Sequence, residues 1–476
     1  MLPRPGRRRV AVEVPAAPDG YGASVPTDLL PTTRRALLHR LATTQHDGRA
    51  PSVAAGVVRD GALAWSDVRG EVDGGVAATY RIGSITKTFT AVLVLQLRDA
   101  GRLALTDTVA DHLPEVGGQQ TLLQLLSHSA GLTAELPGAW WERVPGGGFD
   151  GVAGALTGEP ARLTPGARLH YSNVGFALLG EVVARRSGLP WAAALQTRLL
   201  DPLQLHRTTL APQAPHADGW AVHPHADVLL PEPASDTGAM GPAGQLWSTV
   251  GDLARWATFL AGDTGDVLSQ DTLEEMRQPA AVDDGPAWTT AWGLGLQLRR
   301  VAGRRLVGHG GSMPGFVAAL WTEPDTGDGA LALANATSGV AVTALADGLL
   351  QVLAEQEPTL PPVWTPAPAD PALLALTGTW YWGTSACVVS VEGVDRLRMS
   401  AVGGGRSSRF RCTGPDDLTG LDGYYAGERL RVVRGADGRP THLDLVTFVL
   451  TRRPYAPAQV VPGGVAEGGW RAPQPG

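Results

Sequence analysis

The sequence predicts a chain of mixed α and β class in two folded parts: an antiparallel sheet carrying a helical insertion, then a small all-β domain. Three observations lead there. β-rich runs stand at both ends of the first part with helix-type patterns between them, prolines cluster between Glu355 and Asp370, and short strand-like runs separated by Gly and Asp follow. Length agrees, because 476 residues exceed what one hydrophobic core ordinarily organises.

Taken in order, residues 1–25 read as a disordered tail whose only basic run is Arg7, Arg8 and Arg9. From Ser52 to Val68 two β-rich runs flank Asp60-Gly61, a hairpin signal. The segment Tyr80-Arg-Ile-Gly-Ser84-Ile-Thr-Lys87 opens a run, Phe89 to Leu97, that is apolar nearly all round and so belongs to an interior helix. Pro114 to Leu189 reads as several helices joined by Gly and Pro loops. Strands return from Trp292: a run to Arg299, a turn near Gly303, a strand into His309-Gly310-Gly311, then Phe316 to Glu323 and Ala330 to Ala334. A helix over Val340 to Glu355 closes a first domain spanning 26–355. Residues 356–371 are the proline-rich linker, 372–456 a small barrel or sandwich, and 457–476 a second disordered tail.

Composition excludes several functions. A net charge of −7 with acids and arginines interspersed gives no footprint for nucleic acid. No stretch approaches the roughly 18 apolar residues of a membrane span. The arginine run is followed by only Val10, Ala11 and Val12 before Glu13 and Pro15, too little for the apolar core of an export signal, so the expected location is the cytoplasm. Cys387 and Cys412 read as structural thiols. A phosphate loop would need glycine before Lys87, where Thr86 stands, and neither Ser84 nor Ser312 sits in the glycine frame of an α/β-hydrolase serine. His216, His223 and His225 with Asp218 and Asp227 lack helical ligand spacing and read as a solvated loop.

Lys87 is the only lysine in the chain; the other members of the 39 basic residues are arginines. Arginine stays protonated, whereas a buried lysine can lose its proton and act as a base. If Ser84 opens the helix, residues 84 and 87 share one face, and the amine reaches the hydroxyl at the positive end of the helix dipole. A serine hydroxyl needs such a base to become a nucleophile. The plain alternative is that Ser84 only caps the helix.

Two further groups bear on that choice. Tyr171-Ser172-Asn173 precedes a helical run from Phe176 to Val183 that stops at Ser187-Gly188-Leu189-Pro190. Tyr171 can stand beside Ser84 as second base, phenolate or phenol, or as proton donor to the leaving group, and Asn173 can bond either Lys87 or a substrate carbonyl. Against this, Ser172 or Asn173 can simply be a cap. His309-Gly310-Gly311-Ser312 lies on a strand whose glycines permit close approach to the backbone, and the amides of Ser84 and Ser312 are the candidate oxyanion hole. A lone strand histidine is otherwise an ordinary structural residue. Trp140, Trp141 and Trp220 occupy loops that either line a pocket or pack.

Ser84-x-x-Lys87, Tyr171-x-Asn173 and His309-Gly310-Gly311, in that order, resemble the β-lactamase-related serine hydrolases: class C β-lactamases, D,D-peptidases, D-aminopeptidases and the esterases similar to them. Leu125-Leu-Ser-His128-Ser-Ala-Gly131-Leu132, Pro165-Gly166, Pro242-Ala-Gly244-Gln-Leu-Trp-Ser248 and Trp292-Gly-Leu-Gly295 extend the resemblance. It implies an αβα sandwich with an antiparallel sheet and a helical subdomain, acyl-enzyme chemistry on Ser84, a structural His128, and no metal or other cofactor. The barrel-like segment resembles the C-terminal domains of some of these hydrolases. One departure matters. Penicillin-recognising members carry lysine or arginine where this chain has His309, so esterase-like and aminopeptidase-like members match better. The expectation is hydrolysis of an ester or amide of a small substrate. Its alternatives are a β-lactamase or D,D-peptidase, and a non-catalytic binding or regulatory protein on the same scaffold. Oligomeric state is left open.

Overall fold

The computed structural model describes residues 28–156, 162–283, 285–361 and 363–454. The expected tails, 1–25 and 457–476, lie outside these described residues, as does the arginine run. The chain divides into two units, Met1–Thr359 and Leu360–Gly476.

Backbone handedness sets the start of the sheet. Strands β1 (Ser52–Arg59) and β2 (Ala62–Gly70) join at Asp60-Gly61, with φ of 51° and 73°, the doubly left-handed turn that Asp-Gly favours in a tight hairpin. The other strands come from the far end of the unit: β3 (Ala281–Val282), β4 (Thr290–Trp292), β5 (Gln297–Val301), β6 (Arg304–Met313), β7 (Phe316–Thr322) and β8 (Gly329–Ala334). Their order is β2-β1-β8-β7-β6-β5-β4-β3, antiparallel at every step. Val53 pairs with Ala334, so the first and last strands of the unit meet in mid-sheet and the long helical insertion is tied at both ends.

The helices that matter to the site are α1 (Pro31–Gly48), α2 (Thr86–Asp99), α3 (Asn173–Ser187), α4 (Val250–Ala261) and α5 (Val342–Gln356). Side chains alternate across a strand, and here both faces are buried. Val53, Ala55, Val57, Ala332 and Ala334 pack with Leu37 and Leu41 of α1 and Leu345, Leu349 and Leu353 of α5. Ala54, Val58, Leu331 and Leu333 turn the other way, into the core holding Phe89 of α2, Phe176 of α3 and Leu253 of α4. The result is the αβα sandwich. Nearly every residue of α2 is buried, Lys87 included, so a helix apolar all round lies in the interior as its pattern predicted.

In the second unit, eight short strands close into an antiparallel barrel: β9 (Gly378–Trp382), β10 (Ser385–Glu392), β11 (Arg396–Ala401), β12 (Ser407–Cys412), β13 (Asp417–Gly420), β14 (Arg429–Arg434), β15 (Pro440–Leu445) and β16 (Phe448–Thr451). Tyr381 of β9 pairs with Thr451 of β16, which removes both edges and decides between barrel and sandwich. Trp380, Val389, Leu397, Phe410, Leu430 and Leu443 fill the interior. Cys387 and Cys412 are free thiols.

Leu349 is fully buried between α5 and the sheet, so Leu349→Ala should lower the stability of the first unit's urea transition by about 2–5 kcal/mol. Gln351→Ala, on the exposed side of the same helix, should stay within about 0.5 kcal/mol of wild type.

Candidate active site

The main chain builds the first feature. Tyr80–Arg81 pairs with Trp247–Ser248 in a two-stranded ladder, and the chain then tightens into a single turn of 3₁₀ helix, Gly83–Ile85, before α2 begins. That turn presses directly on β6. A side chain at Gly311 would place its Cβ 1.9 Å from the Ile82 carbonyl oxygen and 3.2 Å from the Ser84 amide nitrogen. One at Gly83, where φ is 53°, would come within 2.5 Å of the Ser312 amide nitrogen. Only glycine fits at both positions, and the contact brings the amides of Ser84 and Ser312 side by side.

Lys87, fully buried on the first turn of α2, has its amine held by three acceptors. Nζ lies 2.9 Å from Ser84 Oγ, 2.6 Å from Asn173 Oδ1 and 2.6 Å from the Ala243 carbonyl oxygen. The last two can only accept. Asn173 is fixed in that orientation because its Nδ2 donates to Glu135 Oε1 at 2.6 Å. When the amine is neutral, its two N–H bonds are therefore taken up by Asn173 and Ala243, and the lone pair is left facing the hydroxyl of Ser84. The capping of α3 falls to Ser172, whose Oγ accepts from Gly175 N at 3.0 Å, so Asn173 is free for Lys87 rather than the cap.

Burial disfavours the ammonium and pushes the Lys87 pKa down to about 7, against the opposing pull of the Glu135 and Glu142 carboxylates. Both acids are held by indoles: Trp141 Nε1 donates to Glu135 at 2.6 Å, and Trp140 Nε1 to Glu142 at 2.8 Å. Glu135 remains exposed, whereas burial raises the pKa of Glu142.

Tyr171 packs its ring against the Lys87 amine, 5.0 Å from the centroid, and its hydroxyl is hydrogen-bonded to Ser84. His128 stacks on the same ring at 4.1 Å, and the His128 Nδ1 accepts the Ser172 amide. Burial, aided by Glu135 and Glu142, raises the Tyr171 pKa well above its ordinary value. That direction favours the phenol over the phenolate. His309 is neutral as well, its pKa pushed down to about 3 by burial and then by Lys87. Its Nδ1 donates to the Gly310 carbonyl, leaving Nε2 as an acceptor with no partner among the described residues.

Ser84, Tyr171, His309, Gly310, Gly311 and Ser312 all border one open cavity of about 780 Å³. Trp292 forms part of its wall, and the Arg299–Asp347 ion pair, at 2.8 Å, another part. Trp140, Trp141 and Trp220 do not line it. Asp227, one of the residues in the histidine-rich loop, instead pairs with Arg49 at 2.8 Å. Sequence reasoning missed Glu135, Glu142 and the Ala243 carbonyl. The last belongs to the Pro242-Ala-Gly244 landmark, but a main-chain acceptor carries no side-chain signature. Glu135 carries no spacing signal at all.

With a base of pKa about 7, log kcat/KM for an ester should rise with unit slope below pH 7 and level off above it, as Lys87 loses its proton. Because Glu135 favours the ammonium, Glu135→Gln should move that limb to lower pH. A shift to higher pH would contradict the assignment.

A family model described as Beta-lactamase matches residues 35–354, and one described as a Domain of unknown function (DUF7586) matches residues 369–452. The chain is 31% identical to Penicillin-binding protein 4 of Amycolatopsis lactamdurans over 364 residues, 70% of this chain and 90% of that protein. Among solved structures it is similar to a D-stereospecific amidohydrolase from Streptomyces sp., with 29% identity, a TM-score of 0.57, and 69% of this chain and 99% of that one covered. It shares its fold with the octameric penicillin-binding protein homologue from Pyrococcus abyssi, at 21% identity and a TM-score of 0.60, covering 87% of this chain and 99% of the other. No helix among the described residues is long and apolar enough to cross a membrane. With the motifs in one cavity and the family match covering most of the chain, the protein belongs to the beta-lactamase family of serine hydrolases.

Proposed function

We propose that the chain hydrolyses an amide or ester of a small substrate through an acyl-enzyme on Ser84. The observation that carries this reading is the three-acceptor environment of Lys87, which leaves the amine's lone pair aimed at Ser84. Lys87 takes the hydroxyl proton while Ser84 Oγ attacks the carbonyl carbon. The amides of Ser84 and Ser312 hold the resulting oxyanion. Tyr171, a phenol hydrogen-bonded to Ser84, relays to the departing amine or alcohol the proton that Lys87 took, so that Lys87 is neutral again once the carbonyl has re-formed. Water then attacks the acyl group, giving its proton to Lys87, which passes it to Ser84 Oγ as the acyl group leaves.

Charge around the cavity supports the substrate class. His309 is neutral and offers a lone pair, not the cation that would hold a β-lactam or peptide carboxylate. The likeness to the D-stereospecific amidohydrolase supports an amide as the bond cleaved. A second reading, a D,D-peptidase or penicillin-binding protein, is favoured by the 31% identity to Penicillin-binding protein 4. On the first reading the partner is a small molecule in the cytoplasm, with neither nucleic acid nor membrane involved.

A fluorophosphonate should label Ser84 in the wild type and leave Ser84→Ala unlabelled. Lys87→Arg keeps the charge but cannot supply a base, so turnover of a p-nitrophenyl ester should fall by about 10²–10⁴-fold. Across D-amino-acid anilides, p-nitrophenyl esters and nitrocefin, the first two should turn over and the third should not. Nitrocefin as the best substrate would make the protein a β-lactamase, stoichiometric acylation by nitrocefin with slow release would favour the second reading, and stoichiometric acylation by every probe without turnover would make the protein a receptor.

A further inference from the structure

The barrel of the second unit has an unfilled end. At the mouth where β9 finishes and β10 begins there is a cavity of about 290 Å³, bordered by Trp382, Met399, Tyr425, Phe448 and Leu450, with Cys387 among them. The deeper interior, around Trp380 and Leu443, is fully buried. Phe448 is the hub of the cavity's aromatic wall: Trp382 meets it edge to face at 5.1 Å, and Tyr425 does so at 6.1 Å. Trp382 is nonetheless 52% exposed, an unusual outlay of apolar surface on a small barrel.

Arg406 stands on the rim of this cavity. Its guanidinium lies 3.8 Å from the centroid of Tyr424 and 5.7 Å from that of Phe448. A guanidinium laid on an aromatic face keeps its N–H donors pointing outward in its own plane, the arrangement that grips a carboxylate through two parallel hydrogen bonds. Other arginines of the barrel spend those donors on acids: Arg398 on Glu392, Arg409 on Asp422, Arg429 on Asp417 and Arg434 on Asp416. Arg406 has no such partner among the described residues, and no Asp or Glu borders the cavity. Gly404 and Gly405, with φ of 94° and 126°, shape the adjoining turn so that no side chain closes the entrance.

We propose that this barrel mouth is a binding site for a small carboxylate with an apolar, ring-sized body, the body lying against Trp382 and Phe448 and the carboxylate on Arg406. The cavity is at the small end of the range for small-molecule pockets, which suits one aromatic ring or a short branched chain and not a long acyl chain. The site is separate from the Ser84 cavity and does not depend on the reaction proposed there.

Isothermal titration of the full chain with 4-phenylbutyrate, with uncharged 4-phenylbutanamide and with acetate tests the proposal. Phenylbutyrate should bind with one-site stoichiometry, and acetate should not bind. Arg406→Gln should weaken phenylbutyrate by at least about tenfold and leave the amide unchanged, whereas Trp382→Ala should weaken both by a similar factor. Unchanged melting temperatures would show that the barrel stays folded. Three results would overturn the proposal: no saturable binding of phenylbutyrate, binding insensitive to both substitutions, or self-association in sedimentation that Trp382→Ala abolishes, which would make the rings a contact between copies of the chain.

Discussion

Removal of one amine from water organises the whole site. A lysine ammonium is costly to bury, and α2 buries Lys87 completely, with no carboxylate among the hydrogen-bond partners of its amine. What it receives instead are two fixed carbonyl-type oxygens and the hydroxyl of Ser84. These neutral acceptors satisfy the N–H bonds without restoring full stability to the positive charge. Glu135 and Glu142 counter the desolvation from farther away. The balance of burial against those two acids sets the basicity of the nitrogen, and the acceptors set the direction of its lone pair.

The fold supplies each part of that environment from a different stretch of chain. The 3₁₀ turn Gly83–Ile85 carries Ser84 and the first turn of α2 Lys87, the chain entering α3 carries Tyr171 and the first residue of that helix is Asn173, the short helix Gly241–Gly244 supplies the Ala243 carbonyl, and β6 brings His309 and the Ser312 amide. Pairing of β1 with β8 ties the two ends of the unit together around them. The glycines at 83 and 311 let the Ser84 turn and β6 touch main chain to main chain, a contact that sets the Ser84 and Ser312 amides close together. His128, read from the sequence as structural, stacks on Tyr171 and accepts the Ser172 amide, thereby holding the phenol and the cap of α3 in register.

Much of this was legible in the residues because it rests on local periodicity and on spacing. Asp60-Gly61 announced the hairpin, and the unbroken apolar run after Lys87 announced an interior helix. The uniqueness of Lys87 among arginines pointed to chemistry that arginine cannot perform. What stayed hidden depends on contacts between distant segments. The Ala243 carbonyl is main chain, and Glu135 comes from a loop 38 residues before its partner Asn173. The neutrality of Tyr171 and His309 is a consequence of burial, which no motif encodes. Closure of the barrel likewise turns on a pairing between its first and last strands, where each strand alone is compatible with a sandwich.

The solitary lysine permits a direct test of the central claim. In protein labelled only with 13Cε-lysine, Lys87 gives the one lysine resonance, and its chemical shift reports the protonation of its own amine. In the native state it should titrate with a midpoint near pH 7, and on unfolding the midpoint should return towards 10.5. A native midpoint near 10 would mean that the amine remains an ammonium at neutral pH and is not the base that activates Ser84.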